Sequence, residues 1–302
     1  MADDFREITY VTGGSSEGKK IYTFLKYGKG YSTKLIRSLK THDCGIMLNG
    51  KNAKTTELLR EGDRLTVRIP YEESETEPLE APLDIIYEDE DILVINKSPY
   101  MAMHPTHNHQ GDTLANAVAF YLSQKGRPCV FRAVGRLDKG TSGIVVCALN
   151  SLAACKLSGQ THKEYIAAVK GDMPGTGTVT VPVYRPDPMK TLRACSEELG
   201  TEPAVTHWEK IAGNGKASLI RLRLETGRTH QIRVHMAYIG HPVVGDEVYG
   251  RKKNRFSTEG QMLHAKIIEF DHPSTGEHMV IECPLPDYFE RILDRISGSE
   301  LE

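Results

Sequence analysis

Asp138 lies in VGRLDKGTSGIVVCAL, residues 134–149, between Arg136 and Lys139 and just ahead of an apolar run. The flanking cations favour an ionised side chain, while Gly140 and Gly143 let the backbone come close to a ligand. A charged carboxylate at the entry to a strand can attack an electron-poor carbon, as in retaining glycosidases, or serve as a base. It can equally be a turn aspartate bonded to Thr141 or Ser142. A second cluster, TGRTHQIRVH at 226–235, crowds Arg228, His230, Gln231, Arg233 and His235 into one short stretch. Thr229 is the expected N-cap of a helix whose inner side is Ile232, Met236 and Ile239, which puts Arg233 near a sheet surface. There a guanidinium could fork onto a carboxylate from elsewhere in the chain; the plainer alternative is a solvated helix face.

Two other groups of residues carry weaker signals. His104, His107 and His109 stand close together in HPTHNH, but the segment has loop composition and no distant ligand partner, so no metal site is expected. Tyr165, in KEYIAAVKG, reads by itself as one more aromatic in an alternating strand.

The elements that must position these residues form two units. In the first, STKLIRSLKTH begins with Ser32 as N-cap and turns Leu35, Ile36 and Leu39 to one side, Lys34, Arg37 and Lys40 to the other. GIMLNGK carries an Asn49-Gly50 turn signal and DRLTVRI alternates, so helices lead into a small β-ribbon. YEESETEPLEAPLDIIYEDED then reads as an acidic connector, with a boundary near residues 75–82. Beyond it come two β-rich runs in LDIIYEDEDILVINK, a helix in GDTLANAVAFYLSQKG ended by Gly126 and Pro128, and strands in KEYIAAVKG, SLIRLRL and MLHAKIIEF. Without a regular βαβ rhythm, the expected class is α+β with a mixed, mainly antiparallel sheet.

A chain of 302 residues with 39% apolar and 26% charged residues can bury a substantial core. It has no long apolar run and no secretory start, so it is expected in the cytoplasm. The six cysteines form no C-x-x-C pair and are expected as reduced thiols. The formal net charge of −2 hides an asymmetry, because residues 71–91 hold ten acids and no Lys or Arg, leaving both flanking units mildly basic. Nothing in the apolar pattern calls for an oligomer, so a monomer with no protein partner is expected.

These motifs resemble the RluA family of pseudouridine synthases. GRLDKGTSG is similar to its H-R-L-D-x-x-T-S-G, KEYIAAVKG to K-x-Y-x-A-x-V-x-G, and GRTHQIRVH to G-R-x-H-Q-x-R-x-H, with GHPVVGDEVYG and MLHA as further likeness over about residues 82–287. The first unit resembles an S4 RNA-binding domain through YSTKLIRSL, IMLNGK and EGDRLTVRI. The resemblance implies a pseudouridine synthase fold after a small S4-like α/β domain, divided as residues 1–75, an acidic linker 76–82, and a catalytic unit 83–296. It implies isomerisation of uridine in structured RNA, ribosomal or transfer, with no cofactor. Asp138 would be the nucleophile, Tyr165 would lie against the base, and Arg233 would pair with Asp138. Arg136 would fill space left by a flipped nucleotide, Arg228, His230 and Gln231 would lie on the RNA side, and Lys34, Arg37 and Lys40 would meet phosphates. Attack at C1′, attack at C6 and removal of a sugar proton all stay open for Asp138.

The chain departs from the family where Gly135 replaces the His before Arg136, where NKSPYM replaces N-K-P-x-G, and in a shorter segment between Asp138 and Tyr165. These changes bear on substrate fit and leave the Asp, Tyr and Arg in place. Two rivals remain at this stage: a catalytically silent RNA-binding scaffold and a histidine-dependent metallohydrolase.

Overall fold

The computed structural model describes residues 5–72, 74–105, 111–127, 130–250 and 260–291. His107, His109, Pro128, Cys129 and residues 292–296 of the expected catalytic unit lie outside the described residues. Among the described residues, no helix is long and apolar enough to cross a membrane, and the five described cysteines are free thiols.

The first unit is a four-stranded antiparallel sheet of β1 (Phe5–Val11), β2 (Ile46–Leu48), β3 (Lys51–Asn52) and β4 (Arg64–Pro70), in the order β1-β4-β2-β3. The alternating FREITYV segment adds β1, a strand the expected ribbon lacked, and pairs it with β4 from Phe5↔Pro70 to Val11↔Arg64. Asn49 and Gly50, at φ 52° and 79°, make the tight turn between β2 and β3. Two helices cover the sheet: α1 (Ile21–Thr23), which widens into a π turn at Phe24–Gly28, and α2 (Thr33–Thr41). Ser32 caps α2 by accepting the Leu35 N–H at 3.1 Å. Leu35, Ile36 and Leu39 are buried, whereas Lys34, Arg37 and Lys40 are exposed, as the spacing requires.

The second unit is built on a ten-stranded sheet. Its strands are β5 (Asp84–Glu88), β6 (Ile92–Lys97), β7 (Arg132–Val134), β8 (Ser142–Ala148), β9 (His162–Lys170), β10 (Thr176–Val179), β13 (Thr206–Gly213), β14 (Ala217–Leu224), β15 (Leu263–Asp271) and β16 (His278–Glu282); a separate hairpin pairs β11 (Val183–Tyr184) with β12 (Ala194–Cys195). The main path runs β10-β13-β14-β9-β15-β8-β6-β5, with β16 on β15 and β7 on β8. Every pairing is antiparallel except β8 with β15, so the sheet is mixed and mainly antiparallel as expected.

All seven residues of β8 are buried, because the sheet is covered on both faces. Val145 and Cys147 join the core under α3 (Leu114–Gln124), while Ile144, Val146 and Ala148 join a second core with α4 (Ser151–Leu157). Complete burial of each such aliphatic side chain is worth about 2 kcal/mol. The connector is held at its C-terminal part, where Asn116 of α3 donates to Glu77 O at 2.7 Å and Leu79 N–H donates to Asn116 O at 3.1 Å.

The two units meet through specific contacts. Leu152 of α4 packs into the core of the first unit. Arg6 of β1 gives Nε and Nη2 to Asp91 at 3.2 Å each and Nη1 to Glu90 at 2.7 Å. Asn150 donates to the same Asp91 at 2.8 Å and caps α4 by accepting Ala153 N–H at 2.9 Å.

Candidate active site

Gly143 explains why the DKGTSG stretch needs glycine where β8 begins. Its φ is 108°, and a Cβ there would lie 2.3 Å from Ala265 O, so only glycine lets β8 enter parallel to β15. One row therefore runs across three strands, Gly143 beside Ala265 and Ala265 beside Tyr165. Asp138 sits at the turn into that row, its carbonyl accepting Thr141 N–H at 3.0 Å. Gly135, where the family has His, turns the chain ahead of it at φ 75°.

Helix α5 (Gln231–Tyr238) supplies the opposing cation. Its N-cap is His230 in a left-handed conformation, φ 58° and ψ 16°, not Thr229. The shift of one residue arises because Gln231 fastens the loop from inside. Its Oε1 accepts Thr226 Oγ1 and Arg228 N, both at 2.9 Å, and its Nε2 donates to Val205 O and Thr206 Oγ1, both at 3.0 Å. Buried and fully engaged, Gln231 has no hydrogen-bonding group left for RNA, which corrects its expected role. His235 is likewise interior, bonded to Thr206 Oγ1 and Val181 O at 2.9 Å.

Arg233 is buried beneath the cleft, and its fork engages a carboxylate the sequence reading left unnamed. Nε and Nη2 reach Asp246 Oδ2 and Oδ1 at 2.7 and 3.0 Å, while Nη1 alone reaches Asp138 Oδ2 at 2.8 Å. Burial opposes the guanidinium charge, but the bonds and charges of the two aspartates outweigh it and raise its pKa. Burial likewise opposes the Asp246 charge, and Arg233 with the Val248 and Tyr249 amides more than offsets it, holding that carboxyl below its usual range. Asp246 is fully buried, whereas the Asp138 side chain keeps 24% exposure.

Tyr165 is buried at the floor. Burial first, and the Asp138 charge second, push its phenol up, so it stays protonated at neutral pH. Lys97 is also buried, with its ammonium on Ser98 O, Met101 O and Lys139 O at 2.6, 3.0 and 3.1 Å. Burial pulls it down to about 7 against the pull of Asp138, and the three carbonyls match the three N–H donors of the charged form. This lysine ties the NKSPYM loop to the residue next to Asp138.

Asp138, Tyr165, Arg233, Arg136, Arg228, His230 and Gln231 all line one cleft that opens to solvent. Leu137, Thr141, Leu224, Ile232 and Leu263 complete its walls. Lys34, Arg37 and Lys40 do not line it. His104, the described member of the histidine cluster, packs its ring edge-on against Phe131 at 5.1 Å. The residues missed from sequence are Asp246, Tyr249 and the buried ammonium of Lys97. GDEVYG held the first two in plain view, but a Gly-Asp pair reads as a turn, and Asp246 does accept the Val248 and Tyr249 amides at 2.9 and 3.0 Å.

The RNA pseudouridylate synthase family profile matches residues 91–238, the span that contains Asp138, Tyr165 and Arg233. The chain is 37% identical over 274 residues to YjbO of Bacillus subtilis, an uncharacterized RNA pseudouridine synthase, covering 87% of this chain and 95% of that one. The chain belongs to the RluA family of RNA pseudouridine synthases. Ribosomal large subunit pseudouridine synthase D of Haemophilus influenzae is also similar, 37% identical with 83% of this chain and 84% of that protein covered. Among solved structures, human RNA pseudouridylate synthase domain containing 1 superposes with a TM-score of 0.55 at 28% identity, over 68% of this chain and 84% of that one. As an RluA-family enzyme, the chain isomerises uridine in RNA to pseudouridine.

Proposed function

We propose that this RluA-family enzyme acts in the cytoplasm on large-subunit ribosomal RNA, with Asp138 as nucleophile, Tyr165 against the base and Arg233 holding Asp138. The observation that carries this reading is the single 2.8 Å bond from Arg233 to a partly exposed Asp138 that shares the cleft with Tyr165. The reaction breaks the N1–C1′ bond, turns the uracil, forms C5–C1′, and moves a proton from C5 to N1. All atoms are conserved, so the chemistry asks for a nucleophile and proton transfer and for no redox partner. A charged carboxylate with one oxygen only partly engaged is suited to attack, and a neutral phenol beside a base can stack on it and assist at C5. In this reading Arg136 fills the gap left by the flipped nucleotide, which its exposure at the cleft supports.

In the same reading, residues 1–75 are an S4-like RNA-binding unit, 76–82 the linker, and 83–296 the catalytic unit, with a monomer as the working form. The exposed row Lys34, Arg37, Lys40 on α2 supports a phosphate contact. The test is Asp138→Asn with pseudouridine mapped across total RNA: modification is expected to vanish at specific large-subunit sites while RNA binding is unchanged. Wild-type modification by the variant would remove Asp138 from the mechanism.

A further inference from the structure

Two donors approach Asp138, and both approach the same oxygen. Arg233 Nη1 lies 2.8 Å from Oδ2 and His230 Nε2 lies 3.9 Å from it. The second distance is too long for a hydrogen bond as it stands, so the question is which ring nitrogen of His230 bears the proton. Tyr249 bears on it. Its hydroxyl oxygen accepts the Arg193 N–H at 2.9 Å and lies 2.9 Å from His230 Nδ1. A phenol has one proton to donate. With the Arg193 amide arriving as one donor, the arrangement that spends that proton sends it to Nδ1 and leaves Nδ1 the bare nitrogen. The proton of the neutral ring then sits on Nε2, facing Asp138.

The surroundings keep the ring in that neutral form. Asp138, Arg233, Arg193, Asp246 and Tyr249 are the titratable and charged groups that face it. Burial foremost, then Arg233 and Arg193, lower its pKa, against the opposite pull of Asp138 and Asp246. The backbone adds an independent sign. At φ 58° a residue with a side chain carries backbone strain, and glycine or asparagine would sit there more easily.

We propose that His230 is a positioning residue for Asp138. Its Nε2–H, aimed by Tyr249, closes on Oδ2 as a nucleotide fills the cleft, so that Arg233 and His230 hold one oxygen and Oδ1 is presented to the nucleotide. This rests on the reading of Asp138 as the nucleophile and gives His230 a task other than contact with RNA.

His230→Gln keeps an N–H near the place of Nε2, whereas His230→Asn keeps an acceptor near Nδ1 and suits the left-handed backbone better. Tritium release from RNA labelled at uridine C5 reads the rate. His230→Gln is expected to stay within about tenfold of wild-type kcat and His230→Asn to fall about a hundredfold, with KM for RNA unchanged in both. Equal rates, or a faster Asn variant, would overturn the proposal, as would a change confined to KM. Asp138→Asn in the same assay keeps the two ideas apart: if it is active the nucleophile reading fails, and if it is inactive while Gln and Asn behave alike, only the His230 proposal fails. Nitrogen-15 NMR of the wild-type protein reads the tautomer without any variant. A proton on Nε2 is expected, and one on Nδ1 would sink the idea.

Discussion

Two arginines of this chain hold aspartates, one where the units meet and one in the cleft. Arg6 gives two donors to Asp91, Asn150 adds a third, and the Asp91 side chain keeps 3% exposure. Arg233 gives its two parallel donors to Asp246 and one to Asp138, which keeps 24% exposure. In both places burial opposes the guanidinium charge and the carboxylates overcome it. The difference lies in saturation. Asp91 accepts three bonds, two of them from across the boundary between units, while Asp138 accepts one strong bond and keeps part of its side chain exposed. An ion pair of this kind is structural when its acid is fully bonded and buried, and available for chemistry when the acid is anchored at one point and open at another.

That contrast can be broken by experiment. The largest effect is expected at Asp138→Asn, with pseudouridine formation falling at least about a thousandfold as the proposed nucleophile is lost, measured by tritium release at C5. Next comes Arg233→Lys. A lysine cannot fork onto Asp246 and also reach Asp138, so kcat should drop about a hundredfold with little change in RNA affinity. Arg6→Met sharpens the other side: it leaves Asp91 buried without its cation and should cost about 2–3 kcal/mol of stability in urea, with kcat at 25 °C as in wild type. A loss of kcat matching that of Arg233→Lys would erase the distinction between the two pairs. The smallest effect is expected on α2. Lys34→Ala with Arg37→Ala should weaken RNA binding and make the salt dependence shallower by about one logarithmic unit per cation removed, and an unchanged slope would return that face to ordinary solvated surface.

The sequence reached the cleft residues because Asp138, Tyr165 and Arg233 lie in short motifs whose order and spacing are distinctive. It reached α2 because a 3.6-residue period separates Leu35, Ile36 and Leu39 from the cations. It failed where the signal depends on distant partners. β1 was legible as an alternating segment, but its partner β4 begins more than fifty residues later. Thr229 was the better cap by residue type, and His230 took the position because Gln231 binds the preceding loop from within. A fork of Arg233 onto a distant carboxylate was expected without saying which one; a planar guanidinium satisfies whichever carboxylate the fold offers edge-on, and GDEVYG offers Asp246.

Asp246 has a consequence for turnover. Under the proposed role of Asp138 as nucleophile, ester formation would remove its negative charge, and a cation neutralised by that group alone would be stranded in a poorly hydrated interior. Arg233 carries a permanent counter-ion that takes no part in bond making. In that reading Arg233 keeps a counter-ion whether Asp138 is free or covalently loaded.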